Sequence, residues 1–238
     1  MIRSMLQSIR HAVPPIHREG YPFIGICVAG ALILFVLRSP LAWLVVLLAL
    51  WVTYFFRDPV RTVPVRPGLI VSSADGIVAS VKEAVPPPEL EIGEAPLPRV
   101  SVFMNVFNCH VNRVPAGGVI DAVSYRPGAF FNAELDKASV HNERKCFRIV
   151  GADGTRIGVV QIAGLVARRI VTFVDEGEDV SVGDRLGLIR FGSRVDIYLP
   201  AGARALVAAG QTTIAGETVI ADLATAKVGP AALRWRVI

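Results

Sequence analysis

Two charge-free apolar runs, residues 21–37 and 41–56, stand near the start of the chain, separated only by Arg38-Ser39-Pro40. Each approaches the roughly 20 apolar residues that a membrane-spanning helix needs. Proline disfavours helix at the residue before it, so the pattern predicts a helical hairpin that breaks at Pro40. Trp43, Trp51 and Tyr54 supply rings of the kind that settle at lipid headgroups. Residues 57–68, rich in Pro and Arg, read as a linker, and from residue 69 onward the pattern changes. Short runs rich in Val and Ile, broken by Gly, Pro and Asp, predict strands at 77–81, 100–107, 156–163, 169–174, 188–191 and 194–199. Residues 84–99, AVPPPELEIGEAPLPR, read as an irregular loop, and 134–142 as a short helix. The expected organisation is a basic segment over 1–20, a membrane hairpin over 21–56 and a mainly β domain over 57–238, built as a sandwich or barrel.

Composition agrees with a lipid-embedded portion. The apolar share is 53% and mean hydropathy +0.51, above the usual globular share of about 45–50%. A cleaved signal peptide is the alternative for the first run, but a second apolar run follows at once and argues against it. Arg3, Arg10 and Arg18 precede the hairpin and Arg57, Arg61 and Arg66 follow it. By the positive-inside tendency both ends face the cytoplasm, which places the protein in the cytoplasmic membrane with its β domain on the cytoplasmic side. A net charge of +5 raises the question of nucleic acid. The basic residues are scattered and form no nucleic-acid-binding motif, so attraction to an anionic membrane surface is the better account. Cys27, Cys109 and Cys146 lack metal-ligand spacing and read as reduced thiols; no metal is expected.

The chemistry centres on Gly192-Ser193, set between two apolar strand-like runs in FGSRVDIYLP. Alone, a Gly-Ser pair reads as a turn. Its alternative use is self-cleavage. Attack of Ser193 Oγ on the Gly192 carbonyl converts the peptide to an ester. Loss of the Ser193 α-proton then expels the Gly192 carboxylate and leaves a dehydroalanine, which hydrolyses to a pyruvoyl group. A base is needed. His11 and His17 lie in the basic N-terminal segment and His141 in a polar run, whereas His110 follows an apolar strand and precedes a Pro-Gly turn. Sheet-held positions of that kind often display catalytic side chains. Asp75, in SADG, reads by default as a turn residue and functionally as the group that orients His110. Cys109 ranks last as a nucleophile, because neighbouring strand residues point to opposite faces.

Asp175 to Ile189, with turn pairs Glu176-Gly177 and Gly183-Asp184, resembles the hairpins of lipoyl- and biotinyl-type sandwich domains. No Lys lies between Lys145 and Lys227 to be modified there, so this likeness bears on fold and not on function. A second resemblance spans most of the chain. FFRDPVRTVP (55–64), SADG (73–76), FMNVFNCHVNRVPAGG (103–118), FFNAELDKASVHNER (130–144), QIAGLVARRI (161–170) and VGDRLGLIRFGSRVDIYLP (182–200) resemble the short, membrane-anchored bacterial type of phosphatidylserine decarboxylase proenzyme. The resemblance implies cleavage between Gly192 and Ser193, Ser193 as precursor of a covalent pyruvoyl cofactor, and Asp75 and His110 completing a self-cleavage triad. It implies that phosphatidylserine in the membrane is the substrate, bound through a Schiff base and converted to phosphatidylethanolamine in phospholipid biosynthesis. The two cleaved subunits would stay together as a heterodimer, with any higher oligomer left open and no nucleic acid involved. Asn108 stands where family members often carry Asp, and Arg113 where longer members carry a second His, so His110 would serve both maturation and turnover. Arg113, Arg168 and Arg169 are candidates for the lipid phosphate or carboxylate. A membrane-tethered binding module is the rival reading; it would not cleave itself.

Overall fold

The computed structural model describes residues 14–129, 142–164, 169–190, 192–223 and 234–237. Two compact units divide the chain, Met1–Val60 and Arg61–Ile238. In the first, α1 (Tyr21–Val36) and α2 (Leu41–Phe55) form the expected hairpin. Pro22 at the start of α1 costs no hydrogen bond there, and Pro40 caps the entry to α2. The reversal between them passes through Arg38, whose φ of 55° is left-handed. The stretch Arg18–Val36, 19 residues, is long and apolar enough to cross a membrane by length and composition; Leu41–Phe55 is shorter. Both helices are apolar on all sides and expose Ile26, Leu32, Trp43 and Leu47. Such a surface suits lipid better than water and is weak evidence of membrane association.

The second unit is mainly β. Its strands are β1 (Thr62–Val65), β2 (Leu69–Val71), β3 (Gly76–Ala84), β4 (Leu97–Met104), β5 (Val111–Arg113), β6 (Gly118–Arg126), β7 (Arg144–Val150) and β8 (Arg156–Ala163). There follow β9 (Ile170–Thr172), β10 (Asp179–Val180), β11 (Arg185–Ile189), β12 (Ser193–Tyr198), β13 (Thr212–Thr213), β14 (Val219–Asp222) and β15 (Arg234–Val237). Eight of them form one sheet, in the order β10-β6-β7-β8-β12-β4-β3-β13, curled as a half-barrel. Smaller sheets pair β5-β11-β9, β14-β2 and β1-β15. Strand alternation sets which residues enter the core. Val195 and Ile197 join Val100, Val102, Val159 and Phe147 in a fully buried cluster.

The opposite face of the large sheet carries buried charge. Arg194 pairs with Asp196 at 2.8 Å, and Arg99 lies 3.6 Å from the same carboxylate. Nearby, Arg144 and Arg126 both reach Glu89, at 2.8 and 3.0 Å. Burial works to raise the Glu89 carboxyl, but the hydrogen bonds from Arg144 and Arg126 outweigh it and hold the group below its ordinary value. Lys82, Arg99, Arg126 and Arg144 rim an open cavity of about 530 Å³ on this side, and Glu89 and Asp196 already answer its arginines. The 84–97 loop closes part of this face, burying Leu90 against Cys146, Val160, Ile162 and Tyr198. Burial there pushes the Cys146 thiol up to about 12, so it stays protonated.

Candidate active site

The site is assembled where β4 ends and β12 begins. Ser193 opens β12 and lies opposite Met104 of β4 on one side and Ala163 of β8 on the other. Its hydroxyl is therefore in the middle of the large sheet, not at an edge. Ser193 is fully buried, and Oγ has no hydrogen-bond partner among the described residues. A buried hydroxyl left so costs about 1–3 kcal/mol and asks for a reason. Gly192, just before it, has φ of 59°, in the left-handed region. Among the described residues, nothing lies within 4 Å of where a Cβ would stand there. Glycine is needed at this position for its backbone conformation, not for space.

His110 reaches the same place by a tight reversal. Beyond Met104, the Asn108 side chain accepts from Asn105 N at 2.8 Å, and Asn105 Oδ1 accepts from Phe107 N at 2.9 Å. The backbone closes the turn with Asn108 N donating to Asn105 O at 3.0 Å. The chain then returns along β11, where Ile189 N donates to the His110 carbonyl at 3.4 Å. Thus His110 sits beside the strand that leads into Gly192-Ser193. Its ring is fully buried, and Nδ1 lies 3.1 Å from the Asn108 carbonyl. A carbonyl only accepts, so this contact fixes the proton on Nδ1 and makes Nε2 the basic nitrogen.

Asp75 borders the same end of the sheet. Gly76 follows it, packed so tightly on β4 that a Cβ there would lie 2.0 Å from the Phe103 carbonyl oxygen. Arg113 N donates to the Ser73 carbonyl at 2.8 Å, which ties the SADG segment to the strand after His110. The Asp75 carboxylate accepts from Arg61 at 2.7 and 2.8 Å and from Ala215 N at 2.8 Å. Burial opposes the Arg61 charge, but Asp75, with Cys109 and Glu217, more than offsets it and raises the guanidinium above its ordinary value. All three candidate residues are therefore brought to one end of β4. The imidazole Nδ1 meets a backbone carbonyl, while Asp75 is engaged by Arg61.

Two polar residues that composition does not single out complete the floor. Gln161 Nε2 donates to Asn112 Oδ1 at 2.7 Å, and Asn112 Nδ2 reaches Met104 Sδ at 3.4 Å. Met104 is the residue across from Ser193. The signal was present as polar side chains at buried strand positions, Asn112 in VNR and Gln161 in VVQIA. Arg113 is buried and donates to the Gly183 carbonyl at 3.2 Å; Arg169 is exposed; Arg168 and His141 lie outside the described residues. Among the described residues, no three His, Cys, Asp or Glu side chains gather in a way that would hold a metal ion.

Sequence comparison bears directly on this geometry. The family model for phosphatidylserine decarboxylase matches residues 48–221. A curated phosphatidylserine decarboxylase proenzyme from Nitrobacter winogradskyi is 55% identical over 221 residues, 93% of this chain and 90% of the relative. The chain belongs to the phosphatidylserine decarboxylase family. It is a decarboxylase made as a proenzyme. The segment matched to the decarboxylase family contains Asp75, His110, Gly192 and Ser193, with the strands that hold them.

Proposed function

We propose that this decarboxylase acts on phosphatidylserine, releasing carbon dioxide and phosphatidylethanolamine, through a pyruvoyl group made from its own Ser193. The observation that carries the reading is the Gly192-Ser193 junction itself, where a left-handed glycine precedes a buried serine hydroxyl with no hydrogen-bond partner among the described residues. Family membership over residues 48–221 supports the substrate.

In maturation, Ser193 Oγ adds to the Gly192 carbonyl carbon and the peptide nitrogen departs, leaving an ester. His110, with its basic Nε2, takes the hydroxyl proton in this step. Removal of the Ser193 α-proton breaks the ester, and the Gly192 carboxylate leaves as the new end of the β subunit, residues 1–192. Water then releases ammonia from the dehydroalanine that remains, and the α subunit, residues 193–238, begins with the pyruvoyl group. Asp75 supplies negative charge at this end of the sheet and, through Arg61 and Ala215, fixes the segment on which it stands.

The pyruvoyl group supplies an electrophilic carbonyl that takes up the substrate amine and accepts the electrons freed as carbon dioxide leaves. His110 returns a proton to the substrate α-carbon. The fully buried surroundings of Ser193 and His110 exclude bulk water from that proton transfer. The apolar hairpin anchors the protein in the cytoplasmic membrane, with both ends and the β domain on the cytoplasmic side. Intact-mass analysis tests the reading: the mature protein should contain a fragment of residues 193–238 blocked by pyruvoyl. An active preparation containing only the uncleaved chain would overturn it.

A further inference from the structure

His110 and Asn112 stand two apart at the start of β5, where the ladder to β11 runs on through the His110 carbonyl. Their side chains therefore leave the strand on one face. The contacts of Asn112 show where that face looks: Nδ2 donates to Met104 Sδ at 3.4 Å, and Oδ1 accepts from Gln161 Nε2 at 2.7 Å. Both partners belong to the large sheet. Met104 lies directly across from Ser193, and Gln161, opposite Val195, is its diagonal neighbour on the same face. Gln161 lies over Gly187 of β11, where a Cβ would stand 3.0 and 3.1 Å from its Nε2 and Oε1. The sulfur settles which way Asn112 is turned, because the reversed amide would set its oxygen against another acceptor. Folding alone gives no reason for this pair. Asn112 and Gln161 are fully buried, and Gln161 Oε1, like Ser193 Oγ, has no hydrogen-bond partner among the described residues. Two apolar side chains of similar shape would join the sheets without that cost. Methionine sulfur is moreover a weak acceptor on a flexible chain, so the N–H it holds can pass to a better one.

We infer that Asn112, aimed by Gln161, donates a hydrogen bond to Ser193 Oγ during self-cleavage. As the hydroxyl proton passes to His110 Nε2, Oγ gains negative charge and becomes a far stronger acceptor than the Met104 sulfur. The Asn112 N–H turns from sulfur to Oγ and steadies it while it adds to the Gly192 carbonyl carbon. The amide itself gains and loses no atom. Gln161 is a positioning residue, since its hold on Asn112 Oδ1 keeps the N–H turned toward the row of Ser193. The inference rests on the reading of Gly192-Ser193 as a self-cleaving junction, and it names the group that prepares the nucleophile.

The test follows cleavage of the freshly made full chain over time on a gel, with intact mass fixing the cut. Asn112→Leu keeps the bulk and removes the donor, and should slow cleavage about ten- to a hundredfold, the scale of a hydrogen bond to a developing charge. Gln161→Met should slow it less, since Asn112 keeps its N–H and loses only its aim. The double variant strands no polar atom of the pair. Its denaturation midpoint, read in a Ser193→Ala background that keeps every chain uncleaved, should match or exceed that of either single variant. Its cleavage should nevertheless be as slow as that of Asn112→Leu alone. If Asn112→Leu does not fold, the double variant carries the test. Cleavage that recovers with stability in the double variant would overturn the inference, by making the pair a prop for the fold. Wild-type cleavage in a folded Asn112→Leu variant would overturn it too, and would leave the decarboxylase reading intact. A wild-type chain that is active and never cleaved would sink both. Hydroxylamine, which cuts esters far faster than peptide bonds, adds a second readout. Asn112→Leu should release no more fragment with it than wild type, because the lost contact acts before the ester forms. A pool of trapped ester in that variant would move Asn112 to a later step and overturn its contact with Oγ.

Discussion

Ser193 Oγ is buried and has no hydrogen bond among the described residues, so the hydroxyl proposed to drive maturation also weakens the folded precursor. Replacing both hydroxyl and cost at once separates the two. Ser193→Ala should abolish cleavage and decarboxylation and yet raise stability by about 1 kcal/mol, read as a higher denaturation midpoint than that of freshly made, still uncleaved wild-type chain. A less stable, still uncleaved Ser193→Ala protein would show that the hydroxyl is satisfied in solution. His110→Ala removes the base and should leave mostly uncleaved chain on a gel, with circular dichroism confirming the fold. Complete processing by a folded His110→Ala variant would send the search for the base elsewhere. The position of His110 after a strand was legible in the sequence. The role of Asn108 was not, because its contribution to the imidazole is a main-chain carbonyl, which side-chain identity does not encode. Nor was the Arg61 contact of Asp75, since pairing across separate segments leaves no local pattern.

Among elements, strands long enough to show their pattern were readable. Residues 156–163 form β8 with the expected bounds, and 194–199 fall within one residue of β12. The run 100–107 was expected to be one strand, but β4 stops at Met104 because Asn105 and Asn108 bond the backbone of their own turn. Those two asparagines three apart were the overlooked signal. β2, β5, β13 and β14, of two to four residues each, are too short for alternation to declare itself and exist through their partners. The expected helix at 134–142 falls almost wholly outside the described residues. Close strand contact also makes a prediction. At Gly76 an added methyl would stand 2.0 Å from backbone oxygen, which cannot swing aside. Gly76→Ala should therefore separate β3 from β4, destabilise by about 3 kcal/mol or more and slow cleavage at the adjoining site. A variant with a wild-type midpoint would mean that the two strands are not so closely paired.

Across the whole molecule, charge buried on one face of the sheet links stability to pH. Glu89 is held below its ordinary value, so its contribution is present above about pH 4.3 and is lost as pH falls through the lower folded value. Glu89→Gln should lower stability at neutral pH and flatten the decline below about pH 4, measured by urea midpoints across that range. An unchanged acid slope would remove Glu89 from the account. The mainly β class and the apolar N-terminal helix were legible because a long charge-free run and short Val- and Ile-rich runs broken by Gly and Pro leave different patterns. How distant segments pair in the sheets was not, since pairing depends on register between strands far apart in sequence.

The four described strands from Ser193 onward do not form a sheet of their own: β12 lies between β4 and β8, β13 on β3, β14 on β2 and β15 on β1. A cut before β12 therefore leaves two interleaved polypeptides, neither of which has a complete core. What was one folding reaction becomes an assembly reaction, first-order before cleavage and bimolecular after it. Mature enzyme, once dissociated by denaturant, should recover more slowly and less completely as it is diluted. Uncleaved Ser193→Ala should recover at a rate independent of concentration. A cut at the proposed junction would make maturation a ratchet, with the cleaved enzyme persisting by the slowness of its unfolding.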